Sequence, residues 1–147
     1  MQYTMHLLSK EEVLKYWNLL EPKLNEAINV FSADLLPFDI CKWVLNDRCN
    51  LWIHLDNNKD LVSVLCTQLE TYPRSKCLNI IAMSGKIDDW DQWLPQTLKT
   101  LETFAAKHSA NYVRIIGRKG WERKLKGHVG PKGTGYVTQQ QVYELEL

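Results

Sequence analysis

The sequence predicts one α/β domain over residues 1–147, with α+β character: a mixed sheet of about six to seven strands and helices on both faces. Three observations predict it. Residues 77–83, CLNIIAM, form a run that is apolar on both faces apart from Asn79, the pattern of a central strand. An amphipathic stretch and a second strand pattern at 112–116 follow, and strand–helix–strand is the right-handed crossover that joins parallel strands. Residues 51–55, 61–69 and 77–83 are separated by short polar turns, which makes them an antiparallel meander.

The composition supports this class and excludes others. With 45% hydrophobic and 24% charged residues, the chain is an ordinary globular sequence long enough to bury its own core. No apolar run approaches the roughly 18 residues of a membrane span. The start, MQYTMH, lacks a basic region followed by an apolar core, so a cytoplasmic location is expected. Cys41, Cys49, Cys66 and Cys77 form no C-x-x-C pair and read as buried thiols. The net charge of +1 conceals an asymmetry: from Arg114 to Lys132 there are seven Lys/Arg and one Glu, a local +6 against −5 elsewhere. Such a block either meets an anionic partner or is a solvated face.

Taken in order, residues 3–8 alternate as a short edge strand. Ser9 opens a helix, with Glu12 completing a capping box. Val13, Trp17, Leu20, Leu24, Ile28 and Phe31 form its core-facing stripe. Pro22 falls inside that stripe, which predicts a kink or two helices with Pro22 in the first turn of the second. Pro37 ends the region, and residues 39–45 read as a short helix. The meander follows, turning at 56–60 and 71–75. Trp93, Leu94, Leu98, Leu101, Phe104 and Ala105 share one face of the next helix, which begins near Asp91 so that Pro95 lies in its first turn. It ends by about Ala110. After the strand at 112–116, residues 119–126 form a short helix stopped by Gly127. Residues 136–147 alternate as a closing strand.

Familiar catalytic and metal motifs are absent from the pattern. His6, His54, His108 and His128 show no ligand spacing, so no metal is expected, and no G-x-x-x-x-G-K-[ST] loop is present. Arg114 sits in an otherwise apolar strand and must reach solvent or a carboxylate, since an unpaired buried cation is too costly.

Leu51-Trp52, the run from Glu70 through Tyr72-Pro73-Arg74 to Lys76, Ser84-Gly85, Trp90 or Trp93, and above all Gly117-Arg118-Lys119-Gly120-Trp121-Glu122-Arg123 carry a resemblance over residues 39–127. Together with the element order, they resemble the GNAT N-acetyltransferase superfamily, and in particular GNAT-like proteins encoded by phages and prophages. The resemblance implies a GNAT-like sheet in which 77–83 and 112–116 are a splayed parallel pair. It implies acetyl-CoA as cofactor, its pantetheine arm along Ile81, Ala82 and Met83, its phosphates at Ser84, Gly85 and Lys86, and Arg118 as a further cofactor contact.

Within that frame, Glu70 is the carboxylate at a strand end facing the wedge, and is the expected base for the attacking amine; its other reading is a surface partner of Arg74 or Lys76. Tyr72 is the expected acid toward the leaving thiolate, or a packing residue before Pro73. The sequence departs from the superfamily in two places. Gly85 stands alone before Asp88, Asp89 and Asp91, which would repel a pyrophosphate by about 1 kcal/mol or more each where screening is poor. The helix at 119–126 contains Trp121 and no Tyr. The expected function is acetyl transfer to an amine on a small molecule or protein by direct attack. The alternative is a non-catalytic phage accessory or virion protein that holds an acidic macromolecular partner through Arg118, Lys119, Arg123 and Lys124.

Overall fold

A computed structural model describes residues 3–31, 35–85, 90–115, 120–137 and 145. Its elements are β1 (Thr4–Leu7), α1 (Lys10–Lys15), α2 (Trp17–Phe31), α3 (Pro37–Leu45), β2 (Asn50–Leu55), β3 (Leu61–Thr71), β4 (Lys76–Met83), α4 (Trp90–Lys107), β5 (Tyr112–Ile115) and α5 (Gly120–Leu125). Among the described residues the strands form one five-stranded sheet in the order β1-β2-β3-β4-β5. The first three pairings are antiparallel and β4–β5 is parallel. Meander and crossover are therefore as the pattern predicts, with a smaller strand count. Most of the expected closing strand lies outside the described residues; Tyr136, Val137 and Leu145 are described and are not in a strand.

The helix boundaries follow local chemistry. Ser9 caps α1: its hydroxyl accepts from the Glu12 amide at 3.1 Å, and the Glu12 carboxylate accepts from the Ser9 amide at 2.9 Å. The break between α1 and α2 falls at Tyr16, whose carbonyl accepts from Leu19 and Leu20 at 2.9 and 3.1 Å. Two helices form as expected, but Pro22 lies inside α2 and not in its first turn. An interior proline costs roughly 3 kcal/mol, but each fully buried leucine contributes about 1.5–3 kcal/mol. Leu20, Leu24 and Ile28 are all fully buried, so packing wins. Pro95 likewise lies within α4, which starts at Trp90. Pro37 is the first residue of α3, where its missing N–H is no loss.

Each face of the sheet has its own core. On one, α1, α2 and α3 pack Val13, Leu20, Leu24, Ile28, Ile40 and Val44 on Leu51, Val64, Cys66, Ile81 and Ala82. On the other, α4 packs Trp93, Leu94, Leu98, Leu101 and Ala105 on Trp52, Leu65, Leu78, Ile80 and Met83. No helix among the described residues is long and apolar enough to cross a membrane.

The two cores reveal a bulge in β4. Cys66 pairs with Ala82 while its neighbour Thr67 pairs with Ile80, so Ile81 is an extra residue. Side chains should alternate between faces, yet Ile81 and Ala82 both enter the α2 core, and Met83 returns to the α4 core with Ile80. A bulge bends its strand and increases twist, and such features gather near functional sites.

Beyond α5 the chain folds back on α4. His128 Nε2 lies 2.7 Å from the Glu102 carboxylate, and the Tyr136 hydroxyl donates to the same oxygen at 3.3 Å. Val129 and Gly135 form a bridge between them.

Candidate functional site

The strand register places the candidate residues. Glu70 pairs with Cys77, and Cys77 with Tyr112; Gln68 pairs with Asn79, and Asn79 with Arg114; the row of Thr67, Ile80 and Ile115 comes next. Described pairing of β4 with β5 ends in that last row, and β4 continues through Ile81 to Met83. The expected divergence beyond β5 falls on residues 116–119, outside the described residues. Because Val113 and Ile115 enter the α4 core, Tyr112 and Arg114 point to the α2 face.

A polar cluster forms on that face. Tyr72 donates its hydroxyl hydrogen to the Glu70 carboxylate. Arg114 donates from Nη1 to the Tyr72 hydroxyl at 3.2 Å and from Nη2 to the Tyr112 hydroxyl at 3.1 Å. Its guanidinium carbon lies 5.7 Å and 5.3 Å from the two ring centroids, within cation–π range. Ser75 Oγ is 3.5 Å from the Tyr112 hydroxyl. The bond to Glu70 is the main cause that raises the Tyr72 pKa above its ordinary value, so the phenol keeps its proton at neutral pH. Both predicted catalytic residues are thus in direct contact. Glu70 makes no ion pair with Arg74 or Lys76 among the described residues. Its register row lies three residues, roughly 10 Å, before the end of the described parallel pairing. It therefore faces the paired end of β4 and β5, where the sequence reading had it at the wedge. Arg114 is the group nearer the end of pairing, and it reaches hydroxyls and solvent as its charge demands.

The expected cofactor residues sit at the far end of β4. Ile81 and Met83 are buried in opposite cores, so only their backbone could meet a ligand. Ser84 is committed inward: its amide donates to the Val64 carbonyl at 2.9 Å. Its hydroxyl accepts from the Val64 amide at 2.8 Å, and its carbonyl accepts from Ser63 Oγ at 2.7 Å. Gly85 has a φ of 110°, which L side chains rarely adopt. Lys86, Asp88, Asp89, Arg118 and Lys119 lie outside the described residues, as do the side chains of Trp90 and Trp121. Asp91 holds Lys124 with both carboxylate oxygens at 3.0 Å. Of the three carboxylates expected to repel a pyrophosphate, Asp91 is thus neutralised by one expected partner-binding cation, and the pair ties α4 to α5, the helices that follow β4 and β5. Arg123 is exposed.

Two residues that the sequence reading passed over belong to this region. Tyr112 completes the cradle of Arg114. Asn79, noted only as the polar exception in β4, is 2% exposed and accepts from the Cys77 thiol at 2.9 Å. The signal for both was the alternation Tyr-Val-Arg-Ile beside a lone buried amide. All four cysteines are free and buried. Among the described residues no group of three or more His, Cys, Asp or Glu is arranged to hold a metal ion.

The architecture defined by this sheet has close counterparts among solved structures. A GNAT family acetyltransferase from Staphylococcus aureus superposes with a TM-score of 0.62 at 14% identity, covering 100% of both chains. A ribosomal-protein-alanine N-acetyltransferase from Brucella melitensis gives 0.67 at 11% identity, covering 99% of this chain and 100% of that one. An aminoglycoside acetyltransferase from an uncultured soil metagenomic sample gives 0.66 at 14% identity, covering 100% and 98%. No family model matches the sequence, and no curated protein does. The chain has the GNAT fold.

Proposed function

We propose that the protein is an N-acetyltransferase that moves an acetyl group from acetyl-CoA to an amine by direct attack. The observation that carries this reading is the bulge at Ile81, set where described β4–β5 pairing stops, with the row of Glu70 in the Glu70–Tyr72–Arg114 cluster roughly 10 Å back along the same strands. Beyond Ile80 the β4 backbone is the natural edge for an extended arm, and open α/β sheets take ligands at the carboxyl ends of parallel strands. The residues present fit such a group: Gly85 adds no side chain, and Lys124 neutralises Asp91. Acetyl-CoA supplies an activated thioester carbonyl. Glu70 would take a proton from the acceptor ammonium through water, freeing the amine to attack, and Tyr72, held against that carboxylate, would supply the proton that the departing thiolate needs. Arg114 positions the acceptor. The partner-binding reading through Arg118, Lys119, Arg123 and Lys124 is weaker, because Asp91 already occupies one of those cations.

Calorimetric titration with acetyl-CoA tests the reading. Binding at micromolar to millimolar concentration, with release of CoA thiol on adding an amine, is the expected result. No binding at millimolar acetyl-CoA overturns it.

A further inference from the structure

Arg114 holds more hydrogen-bonding capacity than the described residues use. A guanidinium has five N–H donors. Two hydroxyls, of Tyr72 and Tyr112, take one bond from each terminal nitrogen. No carboxylate among the described residues lies within 4.0 Å of it. Glu70 reaches it only through the Tyr72 hydroxyl. The site is also open: Tyr72 and Tyr112 are 36% and 38% exposed. The two rings hold the cation between them at 5.7 and 5.3 Å, which fixes the long side chain before any ligand arrives. A pre-oriented planar fork loses less entropy on binding a planar anion, and carboxylate matches its geometry in two parallel bonds.

We propose that Arg114 is a carboxylate-binding subsite, so the acceptor is an amine that carries a carboxylate a few bonds from its nitrogen. The inference rests on the acetyltransferase reading for the word acceptor, but the binding event itself does not. Arg114 takes the carboxylate on its unused N–H groups. Glu70, one hydroxyl away, attracts the ammonium at the other end of the same molecule. A neutral amine of equal size makes only the second contact. The subsite thus selects amino-acid-like or acidic peptide acceptors over simple amines.

The test uses the whole protein without CoA and the probes 4-aminobutanoate and 4-aminobutanamide, which differ only in the charge at the carboxylate end. NMR of the Arg114 Nε–H signal follows each titration. The expected result is a saturable shift with the carboxylate and binding about ten- to hundredfold weaker with the amide, the range of a charged hydrogen-bonded contact. Arg114→Gln should abolish the difference between the two probes by calorimetry, and Arg114→Lys should restore only part of it, since a point charge lacks the fork. Equal binding of the two probes to the native protein overturns the proposal without any variant, as does a carboxylate that leaves the Nε–H signal unmoved at 50-fold excess over protein. Because CoA is absent throughout, these results stand apart from failure of acetyl-CoA to bind, which would remove the transferase reading and leave the anion subsite intact.

Discussion

His54 Nε2 meets Thr97 Oγ1 at 2.6 Å beneath α4. Thr97 donates its one hydroxyl hydrogen to the Trp93 carbonyl at 2.9 Å, so it must accept from His54, and the imidazole is protonated at Nε2. Nδ1 is left buried with no hydrogen-bond partner among the described residues, and the ring lies against Trp93 at 4.7 Å between centroids, tilted by 38°. Burial lowers the His54 pKa to about 4. An unfolded histidine titrates near 6.5. Between these values the unfolded chain binds more protons, so the stability held above about pH 6.5 drains away as pH falls toward 4. Urea melts at pH 7 and pH 5 should differ by about 2 kcal/mol, at 1.36 kcal/mol per pKa unit. His54→Leu should flatten that dependence; an unchanged slope would contradict the assignment.

Ser84→Ala tests whether this serine serves a ligand or the sheet. Its hydroxyl accepts from the Val64 amide, which the substitution leaves buried and unpaired. Thermal or urea unfolding should show a loss of about 1–3 kcal/mol. The affinity for acetyl-CoA should be unaltered under conditions where the variant is folded.

Glu70→Gln removes the base while leaving an amide oxygen that can still accept from the Tyr72 hydroxyl. The expected loss in kcat is about a hundredfold or more, with the melting temperature nearly unchanged because the cluster is at the surface. Steady-state kinetics paired with circular dichroism melts reads both. A kcat within twofold of the native value would assign proton transfer elsewhere.

Asp91→Asn releases Lys124. The exposed carboxylate makes the pair worth little to stability, well under about 1 kcal/mol. Its removal should instead tighten acetyl-CoA binding by about fivefold at low ionic strength, since the Lys124 charge that Asp91 had neutralised is then free to attract the phosphates, worth about 1 kcal/mol. The gain should shrink as salt rises. Calorimetry at two salt concentrations measures it; weaker binding by the variant would reverse the role given to Asp91.

Long-range order was more legible in this sequence than local detail. The run CLNIIAM announces a central strand because a strand buried on both faces has almost no polar residue, and the structure gives it two neighbours. Ser9 and Glu12 announce their helix start because capping is decided within four residues. Proline misled at 22 and 95, since the burial that overrides it comes from the opposing sheet, which local spacing does not reveal. The cluster was half visible. Glu70 and Tyr72 are two apart and lie at a strand end, but their link to Arg114 depends on register across β4, and the bulge at Ile81 has no sequence signature at all.

Glu102 gives the segment after α5 a weight that its irregular path conceals. The carboxylate is mostly shielded by the very residues that satisfy it, His128 and Tyr136, and its charge helps burial hold the tyrosine proton in place. Trimming the protein at Gly127 would strip away both donors and uncover the flank of α4. A protease nick or an engineered truncation there should therefore loosen the second core, so this backbone excursion has to be kept in any minimal version of the molecule.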